Sequence, residues 1–187
     1  MKHINVPERF IFCLEGNWNR HPNSNQSIKP ILDLLYTFSK VRYIYRKCPT
    51  KDEFIKGLQT FTQKLYSNYT VLYIAYHGHK NRICFGNEYI TLKEIANVLE
   101  SKLNGKIVHF GSCSTLNTTE KNITDFITRT GCSFISGYQK DVEYIDSSAF
   151  ELLYFEIIQR YDSFKKIKSN MAKRYPILIE NLRFTLF

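Results

Sequence analysis

Apolar residues in this chain follow two alternating patterns. Short runs rich in β-branched and aromatic residues recur at Phe10-Ile-Phe-Cys-Leu14, Val41 to Cys48, Thr70-Val-Leu-Tyr-Ile-Ala-Tyr76, Ile107-Val-His-Phe110 and Cys132-Ser-Phe-Ile-Ser136. Runs of this length and composition predict strands buried on both faces. Between them the spacing changes to that of amphipathic helices, with Ile31, Leu34, Leu35 and Phe38 on one face, then Phe54, Leu58, Phe61 and Leu65. Further on, Leu92, Ile95, Ala96 and Leu99 repeat the pattern, as do Phe150, Leu153, Ile157 and Ile158.

Helix starts are marked as well. Ser27 precedes Pro30, Thr50 and Glu53 form a capping box, Thr91 and Glu94 form another, and Asp146 or Ser147 opens the long helix. A further helix is expected around Glu120 to Thr130, and Gly86-Asn87 between short apolar runs predicts a small hairpin. The tail from Pro176 to Phe187 is expected to add an edge strand. Strands alternating with helices predict an α/β fold in three layers, a mostly parallel sheet with helices on both faces. The whole chain, 1–187, reads as one domain.

Composition narrows this picture a little. Hydrophobic content of 43% with 15% aromatic residues gives a Phe- and Tyr-rich core and argues against disorder. No apolar run precedes Phe10 and none reaches the length of a membrane span. Five cysteines without paired or zinc-like spacing read as reduced thiols, so a cytoplasmic protein without metal or other cofactor is expected. The net charge of +9 reads as a soluble surface rather than a nucleic-acid site, since no recognised nucleic-acid motif accompanies it. A polyanion site around Lys165, Lys166 and Lys168 is the weaker alternative.

Candidate chemistry sits at the strand ends. Four predicted strands finish in polar or reactive residues, namely Glu15-Gly16, His77-Gly78, Ser112-Cys113 and Gly137-Tyr138. In open α/β sheets the loops beyond the carboxyl ends of the strands form the ligand crevice. A thiol and an imidazole facing one crevice are the minimum equipment for a thiolate nucleophile with a proton-transfer partner. His79 reads as a surface residue of the loop and His109 as a buried, satisfied histidine, while Trp18 either roofs the crevice or closes the core.

The run His77-Gly78, Ile83-Cys-Phe-Gly86, the helix bearing Leu92 and Ile95, and the strand closing on Ser112-Cys113 resembles the caspase-like, or clan CD, cysteine peptidases. The longer pattern, with Cys13-Leu-Glu-Gly16, His109-Phe-Gly-Ser-Cys-Ser-Thr115 and Gly137-Tyr-Gln-Lys-Asp-Val142, is similar to a group of small prokaryotic proteins of this fold. The resemblance implies a caspase-like fold and a cysteine endopeptidase, a hydrolase with a Cys-His dyad. Cys113 would be the nucleophile, His77 would protonate the leaving amine, and the N–H groups of Gly78 and Cys113 would form the oxyanion hole. It also implies a protein or peptide substrate, with regulation by an activating partner or small signal molecule in prokaryotic defence or cell death, and admits a homodimer.

The run Gly111-Ser-Cys-Ser-Thr115 departs from the sequences around the nucleophile in caspases and metacaspases, so neither specificity carries over. Asp141, Glu143 and Asp146 either line a pocket for a basic residue or cap the following helix. Glu15 and Arg20 are alternative wall residues of opposite preference. The competing reading is an inactive caspase-fold sensor or interaction module that holds a peptide or nucleotide in the same crevice.

Overall fold

A computed structural model of the chain describes residues 8–18 and 26–187. In chain order the elements are β1 (Phe10–Glu15), α1 (Lys29–Ser39), β2 (Tyr43–Lys47), α2 (Lys51–Phe61), β3 (Tyr69–Ala75), β4 (Gly78–His79), β5 (Arg82–Phe85) and β6 (Glu88–Thr91). They continue with α3 (Leu92–Val98), β7 (Ile107–Phe110), α4 (Glu120–Thr130), β8 (Phe134–Tyr138), α5 (Tyr144–Arg160), α6 (Phe164–Arg174), α7 (Pro176–Leu182) and β9 (Phe184–Leu186). Six strands form the central sheet in the order β2-β1-β3-β7-β8-β9, parallel except for the antiparallel edge β9. The fold is a three-layer α/β sandwich, as the alternating pattern predicts.

Strand parity assigns the two faces. Phe12, Leu14, Leu72, Ile74, Val108 and Phe110 point into one core with α2, α3 and α4. Ile11, Cys13, Val71, Tyr73 and Ile107 point into the other with α1, α5 and α6. Neither parity can be polar when both faces are covered, which explains the unbroken apolar runs. Both capping boxes form as expected, Thr50 with Glu53 and Thr91 with Glu94, and fix where α2 and α3 begin. Gly86 supplies the turn between β5 and β6, the central and outer strands of the small antiparallel sheet that branches off after β3.

Several local expectations shift. The buried face of α1 is Leu32 and Leu35, while Leu34 and Phe38 are exposed, because the helix rolls toward Ile28 at its N-cap. Leu65 lies in a short 3-10 turn after α2 and is exposed. The long helix α5 opens at Tyr144, two residues before Asp146. The tail divides, with Pro176 opening α7 and Arg183, in the left-handed region, turning the chain into β9 against β8. Among the described residues no helix is long and apolar enough to cross a membrane.

Strand order determines where a site can form. From β1 the chain crosses to β2 on one side and then to β3 on the other, so the sheet order reverses there. A crevice opens beyond the carboxyl ends at such a reversal. The loops after β1, β3 and β7 meet at this rim, and they carry Trp18, His77 and Cys113.

Candidate functional site

His77 follows β3 and Cys113 follows β7, and these strands are direct neighbours with Ile74 paired to Phe110. Both side chains line one cavity of about 180 Å³. Gly78 explains how the two loops come so close. A Cβ at Gly78 would lie 2.5 Å from the Cys113 carbonyl oxygen and 2.3 Å from Thr115 Oγ1, so only glycine lets the His77 loop rest on the Cys113 loop.

The Cys113 loop is held from both sides. Asn81 N–H donates to Thr115 O at 3.2 Å, and Thr115 Oγ1 meets Ser112 Oγ at 2.7 Å, which ties the loop to the hairpin and to itself. On the other side Ser114 N–H donates to Lys140 O at 2.9 Å and Leu116 N–H to Tyr138 O at 3.1 Å. Ser114 has φ of 54°, a left-handed conformation that disfavours a side chain, and its Oγ donates to Asp141 Oδ1 at 2.6 Å. Such strain persists only where surrounding contacts over-determine it, and it concentrates at functional sites.

The imidazole of His77 is oriented by Trp18. His77 Nε2 donates to the Trp18 carbonyl oxygen at 2.7 Å, and the rings stack edge-on with centroids 5.4 Å apart. A carbonyl only accepts, so Nε2 carries the hydrogen and Nδ1 is the nitrogen left to take a proton. Trp18 is positioned in turn by Glu15, which accepts from its Nε1 at 2.5 Å. Glu15 also accepts from Ser27 Oγ at 2.6 Å, from Ile28 N–H at 2.7 Å and from the Tyr45 hydroxyl. The carboxylate is fully buried beneath the crevice with four donors on it, so it supports the wall instead of facing a ligand.

The sulfur of Cys113 lies 3.5 Å from Val142 N and 3.6 Å from Val142 O. Burial pushes the thiol above its ordinary pKa, the Val142 N–H and Cys113's own N–H oppose this, and Asp141 and Glu143 add to the rise. A thiol raised in this way could act as a nucleophile only once a base had taken its proton.

The acidic trio Asp141, Glu143 and Asp146 lines a neighbouring depression of about 430 Å³, together with Lys140, Val142, Asn181 and Leu182. Val142 also lines the cavity that holds His77 and Cys113, whereas none of the three acidic residues does. Arg20 lies outside the described residues. His79 is exposed. His109 is fully buried between Ser136 Oγ at 2.9 Å and Glu151 Oε1 at 3.2 Å. Trp18 is half-buried and forms a wall of the cavity, in edge contact with Tyr144 at 5.4 Å.

The acidic group that does line the cavity is Glu151 on α5, with Tyr144, Ser147 and Ser148. The sequence carried a signal for them, because 144, 147, 148 and 151 fall at i, i+3, i+4 and i+7, one face of a helix. That stripe is polar and runs beside the apolar residues Phe150, Tyr154 and Ile158.

A family model described as "Family of unknown function (DUF6642)" matches residues 8–187, and so takes in every helix and strand named above. The chain belongs to the DUF6642 family. Comparison with curated proteins finds no match. For this DUF6642 chain the chemistry therefore has to be argued from the site itself.

Proposed function

We propose that the chain is a cysteine endopeptidase of caspase-like type, with Cys113 as nucleophile and His77 as its base and acid. The observation that carries this reading is the pairing, in one cavity, of a thiol and an imidazole whose Nε2 is committed to the Trp18 carbonyl. Nδ1 of His77 takes the proton of Cys113 Sγ as the sulfur bonds to the scissile carbonyl carbon. The carbonyl oxygen becomes an oxyanion held by the N–H of Cys113, with Gly78 N–H as the second donor. The C–N bond then breaks, and His77 returns its proton to the departing amine. Water, deprotonated by His77, attacks the thioester, and the carboxylic acid leaves as Cys113 regains its hydrogen.

This sequence gives His77 two duties. A thiol with a lowered pKa would need the histidine only for the leaving amine, whereas the raised thiol of Cys113 requires it as base as well. The test is intact mass after treatment of wild type, Cys113→Ala and His77→Ala with peptidyl acyloxymethyl ketones. One adduct that depends on both residues is expected. A reagent panel that leaves Cys113 unmodified, with cell extract added as a source of activator, would replace this reading with that of a peptide-binding module.

A further inference from the structure

We propose that the cavity beside Cys113 receives the cationic side chain of a lysine or arginine, with Glu151 as its counter-charge. As a statement about substrate, this rests on the peptidase reading, and it assigns the residue that precedes the scissile bond.

Glu151 is a buried carboxylate whose donors are two phenols and an imidazole. Tyr73 OH donates to Oε2, Tyr138 OH donates to Oε1 at 3.3 Å, and His109 Nε2 lies 3.2 Å from Oε1. A chain of hydrogen bonds runs behind His109. Tyr154 OH meets Ser136 Oγ at 2.8 Å, Ser136 meets His109 Nδ1 at 2.9 Å, and Nε2–H points to Glu151. No lysine or arginine among the described residues pairs with this carboxylate. Three donors occupy three of its roughly four acceptor positions, which leaves one for a ligand.

That carboxylate belongs to the cavity wall. A Cβ at Gly111, two residues before Cys113, would come within 2.7 Å of Glu151 Oε1, so the charge lies against the backbone that leads to the nucleophile. A second polar group there is unsatisfied. Tyr144 Oη is buried with no hydrogen bond of ordinary geometry, only the Ser27 backbone lying near it. Burial, with Glu15 and Glu151, pushes this phenol up to about 12, so it keeps its hydrogen and a free lone pair.

Shape agrees with charge. A volume of about 180 Å³ is below the ~300–1,000 Å³ usual for small-molecule pockets and fits one long side chain. The rings of Trp18 and Tyr144 with Ile28 and Val142 would cover the methylene stem, and aromatic faces favour a cation that passes them. An acidic side chain would meet a buried carboxylate that has no lysine or arginine beside it among the described residues. The net charge of +9 does not hold basic peptides off at long range, since surface charges are screened beyond about 8 Å at physiological salt.

Two measurements test this and separate it from the peptidase reading. Trp18 is the chain's single tryptophan, so its fluorescence reports on the cavity. Titration with agmatine should change that fluorescence saturably, butyrate should not, and Glu151→Gln should weaken agmatine by roughly a hundredfold. Ser148→Arg fills the cavity from its rim without touching the buried network, and should abolish the response if Glu151→Gln fails to fold. In parallel, acyloxymethyl ketones with Arg, Lys, norleucine, Leu or Asp at the reacting position are compared for their rates of Cys113 modification. A preference for Arg and Lys that Glu151→Gln removes supports the assignment. Faster labelling by Leu or Asp reagents overturns it and leaves the peptidase standing. An agmatine response without any adduct upholds the cation site and removes the peptidase. No response to agmatine up to millimolar concentration overturns the site.

Discussion

Replacing Gly78 by alanine tests how the two halves of the site are brought together. The new Cβ would stand 2.5 Å from the Cys113 carbonyl oxygen, 2.3 Å from Thr115 Oγ1 and 2.9 Å from Ser112 Cβ. Ordinary contact begins at 3.4 Å, so the Cys113 backbone has to retreat by about 0.9 Å. Rotation of Thr115 gives no relief, because this side chain is fully buried and already bonded to Ser112. Overpacking of this kind costs about 1–3 kcal/mol, and a displacement near 1 Å between reacting groups costs about a hundredfold in rate. Urea unfolding should therefore register a modest loss of stability. The rate of Cys113 modification by a peptidyl acyloxymethyl ketone should fall about a hundredfold, while iodoacetamide, which draws on thiolate formed with solvent and needs no oxyanion donor, reacts within a few-fold of wild type. An alanine variant with unchanged stability and unchanged ketone reactivity would show that the loops do not meet as described.

Other consequences can be checked with the same reagents. Glu15→Ala strands four donors, one of them fully buried, and should cost about 3–5 kcal/mol, lowering the urea midpoint by about 2 M; a loss under about 1 kcal/mol would refute the four-donor arrangement. Iodoacetamide labelling of Cys113, followed on its own peptide by mass, should inflect above the ordinary thiol range. Asp141→Asn and Glu143→Gln remove charges that disfavour the thiolate, so each should move the inflection down and raise the neutral-pH rate by less than about tenfold. An upward shift would contradict that sign. Thr91→Ala removes the cap of α3 and should cost about 1 kcal/mol by urea unfolding, with no change meaning that the box is not formed. Phe38→Ser should change stability by no more than about 0.5 kcal/mol, since Phe38 is 78% exposed, and a larger loss would return it to the core.

The strands were legible because a sheet covered on both faces leaves no polar parity, and α2 and α3 because capping boxes are local. The face of α1 was not. Ile31, Leu34, Leu35 and Phe38 form one stripe and Ile28, Leu32 and Leu35 another, and only the packing against β1 and α5 selects the second. His77 and Cys113 could be picked out from strand ends, because position along the sheet rim follows from topology. The role of Glu15 was hidden, since its donors come from Trp18, Ser27, Ile28 and Tyr45, and no local pattern announces that they converge. Asp141, Glu143 and Asp146 follow the right strand and read either as pocket lining or as caps of the next helix, yet they line a neighbouring depression that shares only Val142 with the cavity. Glu151, inside a mostly apolar helix, reads as a helix-former until β3 and β8 bring Tyr73 and Tyr138 to it.

The placement of Tyr144, Ser147, Ser148 and Glu151 along one face of α5 separates two kinds of change open to this fold. The imidazole of His77 and the thiol of Cys113 follow β3 and β7, at the centre of the sheet, where any shift would propagate through both cores. The lining of the cavity sits on a helix surface, at positions a turn apart. Substitutions there can alter which side chain the cavity admits while Cys113 and His77 stay where they are, so relatives with the same strand ends and a different stripe on this helix would be expected to keep the thiol and imidazole together and differ in what the cavity accepts.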